Sequence, residues 1–139
     1  DLINKYKLFI SKADGAAGQI GNPVPARIIG KPEEGLQNMV CTETFLVVGP
    51  FVNKNQMINA KEYMKTKFFR FLVGARKNKN MTQDTYKFVP LLDFDRSWSD
   101  EDLFALFNLS DNQIDYIKTM ITDYDDNIIE ESEGDDSDE

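Results

Sequence analysis

Half of the sixteen basic residues of this chain fall within residues 61–87, a stretch that we call the basic block. The block holds eight lysines and arginines against two acidic residues, so its local charge is +6. Aromatic and amide side chains, such as those of Phe68, Phe69 and Asn78, occur among these basic residues. Lysine and arginine neutralise phosphates, while amide groups can reach the edges of bases. The composition of the block therefore predicts contact with a nucleic acid.

The charge of the whole chain is divided by position. Residues 1–92 contain fourteen basic and seven acidic residues, and residues 93–122 contain two and seven. Residues 123–139, which we call the acidic tail, contain ten acidic residues and no basic one. Residues 1–92 are therefore basic, although the net charge of the whole chain is −8. An asymmetry of this kind indicates nucleic acid or another charged partner.

The residues predicted to contact DNA lie in the basic block and in a glycine- and proline-rich loop at residues 13–40. Phosphate contacts are predicted for Lys65, Lys67, Arg70, Arg76, Lys77 and Lys79. The candidates for reading base edges are Asn78, Asn80 and the loop residues Gln19, Asn22 and Arg27. Lys31, also on the loop, is a further candidate for contact with DNA. The alternative is a core helix whose lysines and arginines only solvate its outer face.

The absence of histidine limits the chemistry that this chain can perform. With one cysteine, Cys41, and no histidine, the chain excludes Ser–His–Asp and Cys–His nucleophiles and histidine-containing zinc sites. Carboxylates at residues 93–102 leave a magnesium-dependent nuclease as a rival, although acids there are more typical of a turn and a helix N-terminus. A single cysteine suits a reducing cytoplasm, and no apolar run approaches the roughly 20 residues that cross a membrane.

Apolar periodicity predicts one long helix at residues 53–76, with Met57, Met64 and Phe68 on its buried side. Phe69 and Val73 fall on the polar side of that helix, which a regular surface helix does not explain.

Shorter patterns predict the remaining elements. Strands are expected at residues 6–10, 42–48 and 85–91, with a short one at residues 26–29. Two short helices are expected to begin at Ser99 and Ser110. The fold class is therefore α+β, a small mixed or antiparallel sheet packed on one long helix. The expected domain spans residues 1–122, and the acidic tail at residues 123–139 is expected to be disordered.

Six motifs occur in an order that is more specific than any one of them. They read KYKLFISKADGAAGQ, IIGKP, CTETFLVVGPF, YMKTKFFRFLVGARKN, YKFVPLLDF and WSDEDLFALFNLSDNQIDYI. Over about residues 5–122, this run resembles the C-terminal region of adenine-specific DNA methyltransferases of bacterial restriction-modification systems. The chain lacks the Asn-Pro-Pro-Tyr motif and the S-adenosylmethionine glycine loop of such enzymes. The resemblance therefore implies a target-recognition domain that does not catalyse methyl transfer.

The same resemblance implies the partners of this chain. Double-stranded DNA is the expected ligand, and the catalytic methyltransferase domain of the same polypeptide is the expected neighbour. S-adenosylmethionine would belong to that catalytic domain, with no cofactor in this part. The start at Asp1 is expected to be a cut from a larger cytoplasmic protein. The alternative function is a protein–protein interaction module that docks an acidic partner through its basic helix.

Overall fold

The computed structural model describes residues 4–12, 17–39, 45–76, 86 and 89–124. Within these ranges it shows three strands and four helices. They are β1 (Tyr6–Ser11), β2 (Glu33–Gly35), β3 (Phe45–Phe51), α1 (Lys54–Lys65), α2 (Lys67–Gly74), α3 (Asp100–Leu106) and α4 (Asp111–Met120). The expectation of an α+β fold with a small sheet is confirmed.

The sheet is antiparallel, with β1 between β2 and β3. Leu8 and Ile10 of β1 are fully buried, and Leu8 pairs with Val48 of β3. Apolar and β-branched residues suit this central strand because consecutive side chains, which point to opposite faces, are buried. Gly49 has a φ of +138°, and a Cβ there would lie 3.2 Å from the Tyr6 carbonyl oxygen. Glycine therefore permits the close approach of β3 to β1 at the irregular end of the ladder.

The prediction of one long helix is wrong, because the helix breaks at Thr66. Thr66 has extended backbone angles (φ −65°, ψ 154°), so α1 ends before it and α2 begins after it. Its hydroxyl donates to the Tyr63 carbonyl at 2.7 Å and accepts from the Phe69 N–H at 3.1 Å. One side chain thus satisfies backbone groups at both helix ends, which stabilises the break.

The break also explains the two apolar residues that a single helix left on its polar side. The helical phase restarts at Lys67, so Phe69 and Val73 turn into the core, where they are 3 % and 0 % exposed. The ring of Phe69 packs edge-on against Tyr63, with 5.1 Å between their centroids. Burial raises the pKa of the Tyr63 hydroxyl, which donates to the Pro90 carbonyl.

The core lies between the sheet and the helices. Helix α1 packs on β1 and β3, and α2 contacts α1, α3 and α4. Fully buried side chains come from every layer, including Met57 of α1, Val73 of α2 and Leu103 of α3. Ile28 and Ile29, in the loop before β2, are also fully buried. The loop is therefore a structural part of the domain.

Other local predictions have mixed outcomes. Ser99 and Ser110 begin α3 and α4, and both form capping boxes, as expected. Residues 26–29 form no strand, although Ala26 makes one parallel bridge with Ile121. Residues 89–91 are not a strand either, and the expected tail at residues 125–139 lies outside the described residues. Among the helices of the described ranges, none has the length and apolar character needed to cross a membrane.

Candidate nucleic-acid interface

The break at Thr66 forms one wall of a polar cleft of about 550 Å³, which we call the junction cleft. The lining also includes residues from the start of α3 and from the segment that follows α4. Lys65, Lys67 and Arg70 line the cleft beside the break, and Trp98, Asp100 and Tyr124 line it as well. Three of the predicted DNA-binding residues therefore meet at one place.

Lys67 forms an ion pair in this cleft with an acidic partner that is almost fully exposed. Its Nζ lies 2.9 Å from Oδ1 of Asp123, whose side chain is 94 % exposed. The hydrogen bond from Lys67 and its positive charge lower the pKa of the Asp123 carboxyl below the usual value of 3.8. The Lys67 side chain is 20 % exposed, so water and salt reach the pair mainly through Asp123, and a partly exposed pair of this kind contributes only modestly to stability. Another anion can therefore displace Asp123 at small cost.

Lys65 is less accessible than Lys67. Its Nζ lies 3.0 Å from Oε2 of Glu62 and 5.6 Å from the centroid of the Tyr124 ring. The Glu62 side chain is half exposed, while that of Lys65 is mostly covered. Lys65 is therefore the less accessible of the two lysines to an external anion.

Arg70 was predicted to contact phosphate, but its side chain is inside the protein, with 1 % exposure. The Nε group donates to the carbonyls of Lys65 and Thr66 at 3.0 and 3.2 Å. Nη1 donates to the Arg27 carbonyl at 3.3 Å and to Thr122 Oγ1 at 3.5 Å. The restart of the helix at Lys67 turns Arg70 inward, so we correct its role from phosphate contact to structural support of the cleft.

Arg70 keeps its positive charge although its side chain is buried. Desolvation lowers its pKa to about 10, and the negative charge of Asp100 opposes that effect. Arg70 is therefore protonated at neutral pH. Its positive charge is compensated by carbonyl oxygens and by the Tyr124 ring, whose centroid lies 5.3 Å from the guanidinium carbon.

Asp100, the first residue of α3, caps the N-terminus of α2. Its Oδ2 accepts from the Lys67 N–H at 3.1 Å, and its Oδ1 accepts from the Phe68 N–H at 2.9 Å. Together with Thr66, it satisfies the first three N–H groups of α2. This helix end is therefore occupied by a carboxylate of the chain, and binding of an external anion in the cleft depends on lysine side chains.

The other predicted DNA contacts are spread along the chain. Arg27 is half-buried, and its Nε donates to the Ile29 carbonyl at 3.2 Å. Lys31 is exposed on the loop before β2, and Arg76 follows α2 in a half-buried position. Lys77, Asn78, Lys79 and Asn80 lie outside the described residues.

Of the carboxylates considered for a nuclease, those of Asp93, Asp95, Asp100 and Asp102 have structural partners. Asp93 accepts from the Asp95 N–H, and Asp95 accepts from the side chain of Gln56. Asp102 completes the capping box of α3 and pairs with Arg96 at 3.0 Å. Hydrogen bonds from the backbone and hydroxyl of Ser99 lower the pKa of Asp102. In the part of the chain that is described, no three acidic or cysteine residues are grouped to hold a metal ion.

A larger groove, of about 770 Å³, lies between β3, α1 and residues 89–94. Apolar side chains such as Leu46, Met64 and Val89 form most of its wall. Among the described residues that line it, Asp93 is the charged one. Its chemistry does not suit a phosphate, so size alone does not make it the nucleic-acid site.

Sequence reasoning missed three parts of the junction cleft: the break at Thr66, the capping role of Asp100 and the contacts of Asp123 and Tyr124. The threonine inside an apolar repeat was the available signal for the first. The other two depend on residues distant in the sequence. Comparison of the chain with protein-family models, curated proteins and solved structures gives no match.

Proposed function

We propose that this chain binds double-stranded DNA as the non-catalytic target-recognition domain of a bacterial restriction-modification adenine methyltransferase. The order of its six motifs and the positive charge of residues 1–92 support this proposal. The observation that carries it is the carboxylate oxygen of Asp123, 2.9 Å from Lys67 Nζ. That oxygen occupies a position that a phosphate oxygen can take, because lysine recognises both groups as compact anions.

The break at Thr66 gives the two lysines a shared direction. In an uninterrupted helix, residues two apart point roughly 200° away from each other. Lys65 and Lys67 both line the junction cleft, because the extended backbone of Thr66 resets the rotation between them. Two cations that line one cleft can neutralise phosphates at the same place.

Arg70 has a different role in this proposal. It fixes the carbonyls of Lys65 and Thr66 relative to the Arg27 loop and to Thr122. The side chain therefore positions the lysines without touching DNA. Base reading is assigned to residues outside the cleft, with Gln19, Asn22 and Arg27 on the loop and Asn78 and Asn80 in the basic block.

The test is the salt dependence of binding to a fluorescent DNA duplex, measured by anisotropy. The double variant Lys65→Gln/Lys67→Gln should bind more weakly, and its plot of log affinity against log salt should be less steep by about two. Lys54→Gln is the matched control, because this exposed lysine lies on the same helix, roughly 16 Å from Lys65. Equal affinity and slope for the wild type and the double variant would contradict the proposal.

A protein–protein interaction module remains the second candidate, and one feature favours it. The basic surfaces of the domain already hold carboxylates, as in the pairs Lys67–Asp123 and Lys61–Glu34. An acidic protein segment would make the same contacts. Binding of an acidic peptide without any binding of duplex DNA would favour this candidate over the first.

The remaining parts of the proposal concern the parent protein. S-adenosylmethionine and the methyl-transfer chemistry are assigned to a catalytic domain of the same polypeptide, in the cytoplasm. We therefore expect no methylation of adenine by this chain alone, and methylation only when the catalytic domain is joined to it. A methyltransferase assay with labelled S-adenosylmethionine distinguishes the two.

A further inference from the structure

We infer that the acidic tail, residues 123–139, is an intramolecular ligand of the junction cleft that competes with external polyanions for Lys65 and Lys67. DNA is named as the competitor on the strength of the proposed function. The occupancy of the cleft by the tail does not depend on that function.

The chain is held in place immediately before the tail. The Ala26 N–H donates to the Met120 carbonyl at 2.8 Å, and the Thr122 N–H donates to the Ala26 carbonyl at 3.0 Å. The hydroxyl of Thr122 also accepts from Arg70, as described above. These bonds direct the chain to the wall of the cleft that carries the lysines.

The first two residues of the tail already contact that wall. The carboxylate of Asp123 pairs with Lys67 at 2.9 Å. The ring of Tyr124 lies 5.6 Å from Lys65 Nζ and 5.3 Å from the Arg70 guanidinium. Both distances fall within the range of cation–π attraction. The tail therefore begins as a bound segment, with a carboxylate and an aromatic ring placed over three cations.

The residues that follow Tyr124 add further negative charge, which is attracted to the same lysines. Residues 125–139 add nine carboxylates and no cation. Because they are tethered at the edge of the cleft, their effective concentration there is in the millimolar range. At such an effective concentration, even a weak ion pair between a tail carboxylate and Lys65 or Lys67 is populated for a substantial fraction of the time. The tail thus presents the cleft with a series of tethered carboxylates in competition with phosphates.

The expected consequence is a reduced apparent affinity for any external polyanion. If the tail occupies the cleft about nine-tenths of the time, the apparent dissociation constant rises about tenfold. Salt screens such exposed contacts, so the effect should shrink as ionic strength rises.

The experiment uses the full-length chain and a neutral-tail variant, in which amides replace the nine carboxylates of residues 125–139. The neutral-tail variant should bind a DNA duplex about tenfold more tightly at low salt, with little difference at high salt. Equal affinity at low salt would overturn the inference, provided that both proteins bind DNA.

A second measurement does not involve DNA. Trp98 is the only tryptophan of the chain and lines the cleft. A synthetic peptide with the sequence of residues 125–139 should change its fluorescence when added to the neutral-tail variant. Addition of Lys65→Gln/Lys67→Gln to that variant should abolish the change.

The two measurements separate the inference from the proposed function. Peptide binding through the lysines, without DNA binding by either protein, would support the tail as a ligand and refute the DNA-binding function. DNA binding that ignores the tail charge, with no peptide binding, would support the function and overturn the inference. Peptide binding that persists without the lysines would also overturn it.

Discussion

Replacement of Asp100 by alanine tests whether one carboxylate of α3 completes the N-terminus of α2. Its two oxygens accept from the N–H groups of Lys67 and Phe68, at 3.1 and 2.9 Å. Thr66 supplies the acceptor for the next N–H, that of Phe69. Asp100→Ala therefore removes the acceptors of two backbone donors, and alanine offers no substitute.

The size of the effect follows from the surroundings of these donors. A hydrogen bond to an ionised acceptor contributes about 1.5–3 kcal/mol, and loss of a helix N-cap costs about 0.5–2 kcal/mol. Lys67 is half-buried, so water can replace part of its bond, whereas Phe68 is 5 % exposed. We therefore expect Asp100→Ala to lower the free energy of unfolding by about 2.5 kcal/mol. Asp100→Asn keeps one oxygen acceptor and should lose about half as much.

The assay is equilibrium unfolding in urea, followed by far-ultraviolet circular dichroism. Glu101→Ala is the matched control, since Glu101 is exposed in the same first turn of α3. Both variants remove one carboxylate from that turn, but Asp100 alone of the two caps α2. The control should change the free energy of unfolding by no more than about 0.5 kcal/mol. Equal destabilisation by the two substitutions would refute the reasoning.

Three further predictions concern the same junction. Thr66→Ala should lower the free energy of unfolding by about 1–2 kcal/mol in urea titrations, whereas Thr66→Ser keeps the hydroxyl and should lose less; equal losses would argue against the two-ended cap. Arg70→Lys keeps the charge but loses the planar set of donors, so it should destabilise by about 2–4 kcal/mol. The salt slope of DNA binding by Arg70→Lys should stay unchanged at a temperature where the variant is folded, and a slope lower by about one would restore Arg70 as a phosphate contact. The pKa of the Asp123 carboxyl, measured by NMR, should lie below 3.8, because Lys67 favours the charged form. The pair therefore stabilises the folded protein at pH values above 3.8, and this stabilisation is lost as the pH falls through the lowered pKa. Lys67→Gln should raise the Asp123 pKa toward 3.8, and an unchanged pKa would show that the pair does not form in solution.

The elements that sequence predicted well have local causes. Ser99 and Ser110 predict the starts of α3 and α4 because a capping box needs only four consecutive residues. The pattern of residues 6–10 was sufficient for β1 for a similar reason. Strand β2 (Glu33–Gly35) was missed because two of its three residues are glutamates, which form a strand there only by pairing with β1.

The cleft was predicted in part. Residue type identified Lys65 and Lys67 as candidate cations, but only the break at Thr66 puts them on one surface. The position of Arg70 could not be read from helical periodicity, because the phase changes three residues before it. Its partners on Arg27 and Thr122 are 43 and 52 residues away in the sequence. No local pattern carries information about contacts at that separation.

Those separations also determine when the junction cleft can be completed during protein synthesis. The chain reaches Arg70 long before it reaches Thr122, so a nascent chain contains both lysines while one partner of Arg70 does not yet exist. The guanidinium closes its set of hydrogen bonds only after α4 has been made and the following residues have paired with Ala26. Contacts between distant residues form slowly because closing the long intervening loop costs conformational entropy. The cleft is thus among the last features of the domain to mature, and an incomplete chain presents its basic residues without the geometry described above.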